Sequence, residues 1–230
     1  MRTRIFISRP LAADSAFRRA LDGHDIELFD ESMIQFHPLP FFQLPDCDWL
    51  FFYSQKGVQF FFDQWITPLP EHIRLAGMGA ATARALEQRA GRVDFSGTGN
   101  PEETAKAFLL RAANQKVLFP RASHSRRSIQ RLLTGYIQAI DLVVYRNTPK
   151  RDTNIPDCNL LVFTSPLNAR YFLQQYPLKD QQEVVAIGQT TAEALRQLGC
   201  PRVHIARQST EEAMAEVVIS LLTSDGNSVI

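Results

Sequence analysis

Two stretches of this 230-residue chain carry the same groups able to hold an anion. In Val184-Val185-Ala186-Ile187-Gly188-Gln189-Thr190-Thr191-Ala192, a β-branched run too short for a helix meets a glycine turn. Ala192, Leu195 and Leu198 then recur at helical spacing until Gly199. Such a turn aims free N–H groups outward, with the positive end of the helix dipole behind them and the hydroxyls of Thr190 and Thr191 beside them. Helix capping accounts for the same threonines without any ligand. The arrangement is duplicated: Gly79, Thr82 and Leu86 stand under Gly188, Thr191 and Leu195 at a constant offset of 109 residues.

The elements that position these turns also repeat. Val117 lies 112 residues after Ile5, Arg121 the same distance after Arg9, and Gly135 after Gly23, while Ser165 follows Ser54 by 111. The drift in offset means that loops differ while elements match. Each copy reads as strand, helix, strand, connection, strand, helix, strand, helix, strand, helix. In the first copy, Ile5–Ile7 and Ile26–Leu28 read as strands around a helix with Ala16, Phe17, Ala20 and Leu21 on one face. Met33–Pro40 reads as a connection leaving a domain. Trp49–Ser54 is then a strand, followed by a helix with Val58, Phe61 and Phe62 on one side, and Asn100-Pro101-Glu102-Glu103 opens a helix through a capping box closed by Glu103. In the second copy, Ile129, Leu132 and Leu133 mark a helix, Ile140–Tyr145 a strand, and Arg146–Lys150 a second connection. The helix from Glu211 is expected to end near Leu222 and fray into a polar tail from Thr223. The acidic helix starts, including Ser209-Thr210-Glu211-Glu212, read as structural.

Alternating β and α at this spacing requires parallel sheets with helices on both faces, and ligands then sit beyond the carboxyl ends of the strands. Arg9, Ser54, Gly79, Arg121, Ser165 and Gly188 fall there. Periodicity alone leaves open whether each copy folds on itself or the first segment pairs with the last.

Three unmatched residues are candidates for chemistry that a symmetric pair of sites would not need. Tyr145 lies opposite Met33, so a phenol belongs to one copy only. It reads either as a proton donor to a leaving group or as an aromatic ending a strand with its hydroxyl in water. Lys56, set against Leu167, and Arg126 are charges without a counterpart. Tyr53 and the Gly97-Thr98-Gly99 turn also belong to the first copy alone.

Composition narrows the classes. Twenty-five basic and 24 acidic side chains give a net charge of +1, against a protein that lives on nucleic acid or an anionic membrane. No signal peptide and no membrane span are expected. Cys47, Cys158 and Cys200 lack metal or redox spacing and read as reduced thiols of a cytoplasmic protein, and the five histidines are unclustered, so neither metal nor cofactor is expected. The glycine turns lack the pattern of a dinucleotide fold or a P-loop, which makes a nucleotide-dependent enzyme a weak reading. A two-lobed binding or sensor protein for an anionic small molecule is the non-enzymatic alternative.

The motifs Ile7-Ser8-Arg9-Pro10, Phe52-Tyr53-Ser54-Gln55-Lys56-Gly57-Val58, Gly79-Ala80-Ala81-Thr82-Ala83, Leu118-Phe119-Pro120-Arg121, Val144-Tyr145-Arg146-Asn147-Thr148, Phe163-Thr164-Ser165-Pro166 and Ile187-Gly188-Gln189-Thr190-Thr191-Ala192 resemble, in order and spacing, the uroporphyrinogen-III synthase family, over about Arg4 to Leu222. The resemblance implies an α/β fold of two flavodoxin-like parallel-sheet domains joined by a two-stranded linker, with the active site in the cleft. It implies a discontinuous domain of residues 1–35 and 150–230, a second of 38–145, and linkers at about 34–38 and 146–150. The reaction implied is a cofactor-free lyase step of tetrapyrrole (heme) biosynthesis. The linear hydroxymethylbilane loses water, its terminal pyrrole is inverted through a spiro intermediate, and the ring closes. Tyr145 is implied as the acid, with Ser54, Lys56, Thr82, Arg126, Ser165 and Thr191 at cleft positions. Arg9, Arg121, Gly79, Gly188 and Thr190 are further candidates to hold substrate carboxylates. Tyr53 stands where the family carries a small hydroxyl residue and would narrow the cleft. A monomer is expected, with transient contact to the preceding pathway enzyme left open.

Overall fold

The computed structural model describes residues 2–225. The chain separates into two compact units, one from the segments up to Gln35 and from Thr148 onward, the other from Phe36–Asn147.

The first unit is built on strands β1 (Thr3–Ile7), β2 (Ile26–Asp30), β9 (Leu160–Phe163), β10 (Glu183–Ala186) and β11 (His204–Ile205), all parallel, in the order β2-β1-β9-β10-β11. The second carries β4 (Trp49–Phe52), β5 (Arg74–Gly77), β6 (Phe95–Ser96), β7 (Lys116–Ala122) and β8 (Gln138–Pro149), parallel in the order β8-β7-β4-β5-β6. The first is the flavodoxin-like order 2-1-3-4-5; numbered along the chain the second reads 3-2-1-4-5, and it matches the first only when its strands are numbered by the sequence repeat. Each sheet draws its first two strands from one sequence copy and its last three from the other, which answers the pairing left open by the repeat. Strand β3 (Ile34–Pro38) lies beside β8 at the edge of the second sheet, and the chain passes between the units through these two strands. Their bonds, Leu39 N–H to Val144 O at 3.0 Å and Lys150 N–H to Met33 O at 2.9 Å, run antiparallel.

Burial on both faces explains why the strands read as unbroken apolar runs rather than alternating ones. Ile5 and Ile7 pack on one face of the first sheet with Leu160 and Val162, while Phe6 joins Leu161 and Phe163 on the other. In the second unit Trp49 and Phe51 share a face with Val117 and Phe119, and Leu50 and Phe52 face the opposite core with Leu118. Phe51 is fully buried against Phe108 and Phe119, and such burial contributes roughly 1.5–3 kcal/mol per side chain.

The helices are α1 (Ala16–Ala20), α2 (Gln55–Phe62), α3 (Ala80–Ala90), α4 (Pro101–Ala112), α5 (Ser128–Leu132), α6 (Pro166–Gln175), α7 (Gln189–Gln197) and α8 (Glu211–Asp225). Several local expectations need correction. The segments that pattern alone reads as connections are strand, as the two-stranded linker of the resemblance implies: β3 occupies Ile34–Pro38, and β8 continues beyond its last pairing with β7 at Tyr145 through Arg146 to Pro149. Helix α8 passes Leu222 to Asp225, and the Thr223 hydroxyl donates to the Ile219 and Ser220 carbonyls. The tail beyond, from residue 226, lies outside the described residues. Leu132, read as an inward helix residue, is 43% exposed, since α5 is a short helix that buries Ile129. At α4 the Asn100 side chain accepts from Glu103 N–H at 3.1 Å, but the Glu103 carboxylate closes the box through Thr98, whose hydroxyl donates to it at 2.8 Å and accepts from Asn100 N–H at 3.3 Å. A Cβ on Gly97 would lie 2.4 Å from Thr104 Cγ2 and 2.5 Å from the Met78 carbonyl, so only glycine fits.

Candidate active site

Each sheet presents its candidate groups where strands end and helices begin. In the second unit Ser54 follows β4 and caps α2, accepting from Gly57 N–H at 3.2 Å. Its hydroxyl also interacts with the Tyr145 phenol. Tyr145 is 8% exposed, stacked on Phe60 with ring centroids 4.9 Å apart and tilted against Phe36 at 6.0 Å. It therefore does not end its strand with the hydroxyl in water, but sits within β8 among aromatic rings. Burial pushes the phenol above its ordinary pKa, and the Ser54 hydrogen bond opposes that rise. Lys56, on the first turn of α2, donates to Gln59 Oε1 at 3.0 Å and lies over the Phe36 ring at 5.3 Å, so cation and phenol share one aromatic neighbour.

Gly79 caps α3 and Gly188 caps α7, both in extended backbone and both without a side-chain cap bond. The first-turn N–H groups consequently face no competing side-chain acceptor from the cap residue. Thr82 and Thr191 each occupy the third helical position and are 6% and 3% exposed, so their bodies pack inward, while Thr190 is exposed. Ser165 caps α6 and accepts from Asn168 N–H at 3.2 Å and Asn168 Nδ2 at 3.1 Å. Asn168 Oδ1 in turn accepts from Met33 N–H at 2.8 Å, which ties the start of α6 to the chain leaving β2. The Ser165 oxygen is thus occupied as an acceptor, and its own proton remains available to a carboxylate.

The two arginines matched by the repeat are engaged within their units. Arg9 pairs with Glu211, whose other oxygen accepts from Phe17 N–H at 3.2 Å. Arg121, read from sequence as a carboxylate ligand, directs its guanidinium to Asp141 and to the carbonyls of Ala122 and Ser123. Arg126 is exposed, with no hydrogen bond or ion pair to its side chain among the described residues. Tyr53 turns away from Tyr145: its ring packs on Phe119 at 5.7 Å and Phe51 at 5.7 Å, and its oxygen accepts from Gln130 N–H at 3.2 Å. Desolvation pushes its pKa up to about 12. Sequence reasoning passed over Asp141, Gln130 and the role of Glu211. The available signal was a carboxylate inside the apolar run Ile140–Tyr145, where an unpaired charge is not tolerated.

Among the described residues no group of three or more His, Cys, Asp or Glu could hold a metal, and no helix is long and apolar enough to cross a membrane. In the second unit the starts of α2 and α3 are joined by the bond from Gln55 Nε2 to the Ala81 carbonyl at 3.2 Å, which brings the Ser54 and Gly79 turns together, and helix starts of this kind suit a negatively charged group.

Comparisons with known proteins place the chain. The uroporphyrinogen-III synthase HemD family model matches residues 15–216. The uroporphyrinogen-III synthase of Chlorobaculum parvum is 26% identical over 224 residues, covering 85% of this chain and 89% of that protein. In fold, the chain is similar to the crystal structure of uroporphyrinogen-III synthetase from Helicobacter pylori, with a TM-score of 0.74 at 22% identity, covering 96% of this chain and 100% of that one. It is also similar to a mutant uroporphyrinogen III synthase from Thermus thermophilus, with a TM-score of 0.60 at 15% identity, covering 96% and 99%. With the family model spanning nearly every element from α1 into α8, the chain belongs to the uroporphyrinogen-III synthase family.

Proposed function

We propose that this protein is a uroporphyrinogen-III synthase, a lyase that converts hydroxymethylbilane to uroporphyrinogen III with loss of water and inversion of the terminal pyrrole. The observation that carries the residue assignment is the single phenol, Tyr145, beside the Ser54 hydroxyl in a site otherwise built from helix starts. Like any tyrosine, Tyr145 carries its proton at neutral pH, where it is available to the departing hydroxyl; burial makes the phenol a weaker acid, and the Ser54 hydroxyl opposes that effect. Ser54 then stabilises the phenolate that forms. Electron release from the pyrrole nitrogen drives the same departure, so the larger contribution is positioning, which outruns spontaneous closure to the uninverted isomer.

Substrate carboxylates are assigned to the uncapped helix starts at Gly79 and Gly188, to the hydroxyls of Ser165 and Thr190, and to the cations Lys56 and Arg126. Thr82 and Thr191, buried at the third positions of α3 and α7, are assigned with these same turns. Arg9 contributes while paired with Glu211, which sets its direction. Each exposed contact with a helix end contributes roughly 0.3–1 kcal/mol, so binding depends on many of them together. The three cysteines are free, which supports a reducing, cytoplasmic setting, and we take the working form to be a monomer.

The test is a coupled assay in which hydroxymethylbilane is generated in place, incubated with the protein, oxidised, and the uroporphyrin isomers separated. Type III product above the no-enzyme control is expected. Only type I product, at the spontaneous rate and with folded protein, would replace the synthase reading with that of a binding protein.

A further inference from the structure

Arg121 stands where Arg9 stands in the repeat, yet it is only 5% exposed. Its Nε donates to Asp141 Oδ1 at 2.5 Å, and one terminal nitrogen donates to the carbonyls of Ala122 at 2.8 Å and Ser123 at 3.2 Å. Asp141 is itself held by Gln130 Nε2 at 2.9 Å and approached by Arg127 at 3.5 Å. Gln130 is fixed in turn by the Tyr53 hydroxyl, which donates to its Oε1 at 3.3 Å. These bonds surround the loop between β7 and α5, residues 123–127. The loop leaves β7 at a register slip between Arg121 and Ala122 that places Ala122 opposite Tyr145, and Ser123 N–H donates to the Tyr145 carbonyl at 2.9 Å. On the loop, His124, Arg126 and Arg127 are exposed, and the Ser123 hydroxyl is buried with no partner.

We propose that Arg121 is a positioning residue rather than a substrate ligand: clamped by Asp141, it shapes the 123–127 loop so that Arg126 is presented to a substrate carboxylate and the loop is tied to the backbone of Tyr145. The inference rests on the synthase reading for the substrate and on geometry alone for the clamp. The planar guanidinium serves Asp141 and two carbonyls at once in fixed directions, which a lysine ammonium on a flexible stem does not reproduce. The Arg121 guanidinium already serves Asp141 and the Ala122 and Ser123 carbonyls, and delivering it to a ligand would take from Asp141 its shortest bond and open the loop.

The test compares Arg121→Lys, Arg121→Gln and Asp141→Asn, alone and combined with Arg126→Ala, by backbone hydrogen exchange without substrate and by steady-state kinetics. Faster exchange at residues 123–127 is expected in all three, with KM raised about tenfold, the scale of a lost hydrogen bond to a charged group, and kcat changed much less. Because Arg121 acts through the loop, adding Arg121→Gln to Arg126→Ala costs less than Arg121→Gln alone. Should Arg121→Gln fail to fold, Arg121→Lys is judged by the same criteria. Wild-type loop exchange and KM in Asp141→Asn, with KM raised in Arg121→Gln, would make Arg121 a direct ligand and overturn the proposal. A loosened loop with unchanged KM would remove its substrate role. If wild-type protein forms no type III product, the synthase reading falls and takes that role with it, while the exchange data still decide whether the clamp exists.

Discussion

The Ser54 hydroxyl that caps helix α2 also contacts the Tyr145 phenol, so the residue that starts a helix tunes the one phenol assigned to chemistry. Tyr145→Phe removes the proton donor while leaving the ring stacked on Phe60. We expect the largest single loss of kcat, about 10–100-fold, at the low end of what general acids contribute because pyrrole-assisted departure remains. The melting temperature should stay near wild type. Type III product formed at the wild-type rate by this variant would end the acid assignment. Ser54→Ala should lower kcat less but destabilise the protein by about 1 kcal/mol through the lost cap, a difference that thermal melts resolve.

Alkaline titration provides a second check. The pKa of Tyr53 is pushed up to about 12 and that of Tyr145 is also raised, both mainly by burial. A raised folded pKa contributes stability that is fully present below the unfolded value near 10 and is lost as pH rises through the folded one. Phenolate absorbance should therefore show a late step that disappears in Tyr53→Phe. Unfolding should set in across the same range.

On the acid side the sign reverses. The Asp141 carboxyl is held below its usual range, first by its hydrogen bond to Arg121. Its contribution is present above the unfolded pKa and lost as pH falls through the folded one. Asp141→Asn should flatten that acid limb and cost about 1–3 kcal/mol at neutral pH, less than a fully buried pair because the carboxylate is partly exposed. Denaturant midpoints at neutral and acid pH would measure both effects.

Gly97, in the turn after β6, and Gly79 and Gly188, at helix starts, should respond unequally to alanine. At Gly97 the new Cβ meets Thr104 and the Met78 carbonyl below 3.0 Å, at Gly79 it meets the Gly99 backbone at 3.2 Å, and at Gly188 only the Ser209 hydroxyl at 3.1 Å. Gly97→Ala should cost about 1–3 kcal/mol or more, since backbone must move, and Gly188→Ala least, since a hydroxyl can rotate aside. Melting temperatures that rank Gly188→Ala as the most harmful would contradict this geometry.

The α/β class and most elements were legible in the sequence because strands buried on both faces stay apolar without interruption, and because glycine turns at matched offsets mark where helices begin. Strand β8 was cut short at Tyr145 because Arg146 to Lys150 is polar, and polarity there reflects a strand at the sheet margin rather than a loop. The site was legible in residue type but not in use. Arg9 and Arg121 look equivalent at an offset of 112, and only the partners, Glu211 for one and Asp141 with two carbonyls for the other, distinguish them. Those partners lie far apart in the chain or inside an apolar run, where pattern gives no distance.

The exchange of strands between the two sequence copies bears on how the chain is made. The second unit, Phe36–Asn147, is contiguous and can close its sheet as soon as β8 has left the ribosome. The first cannot. Strand β1 pairs with β9, and the bond from Arg4 N–H to Asn159 Oδ1 spans 155 residues, so β1 and β2 emerge first yet wait unpaired on one side until the final third is synthesised. Closing so long a loop is slow, and exposed strand edges invite association meanwhile. The finished middle unit shortens that wait by holding Phe36 and Asn147, the two ends of its own segment, as neighbouring points of a folded body, so the last strands search a small volume rather than the reach of an unfolded chain.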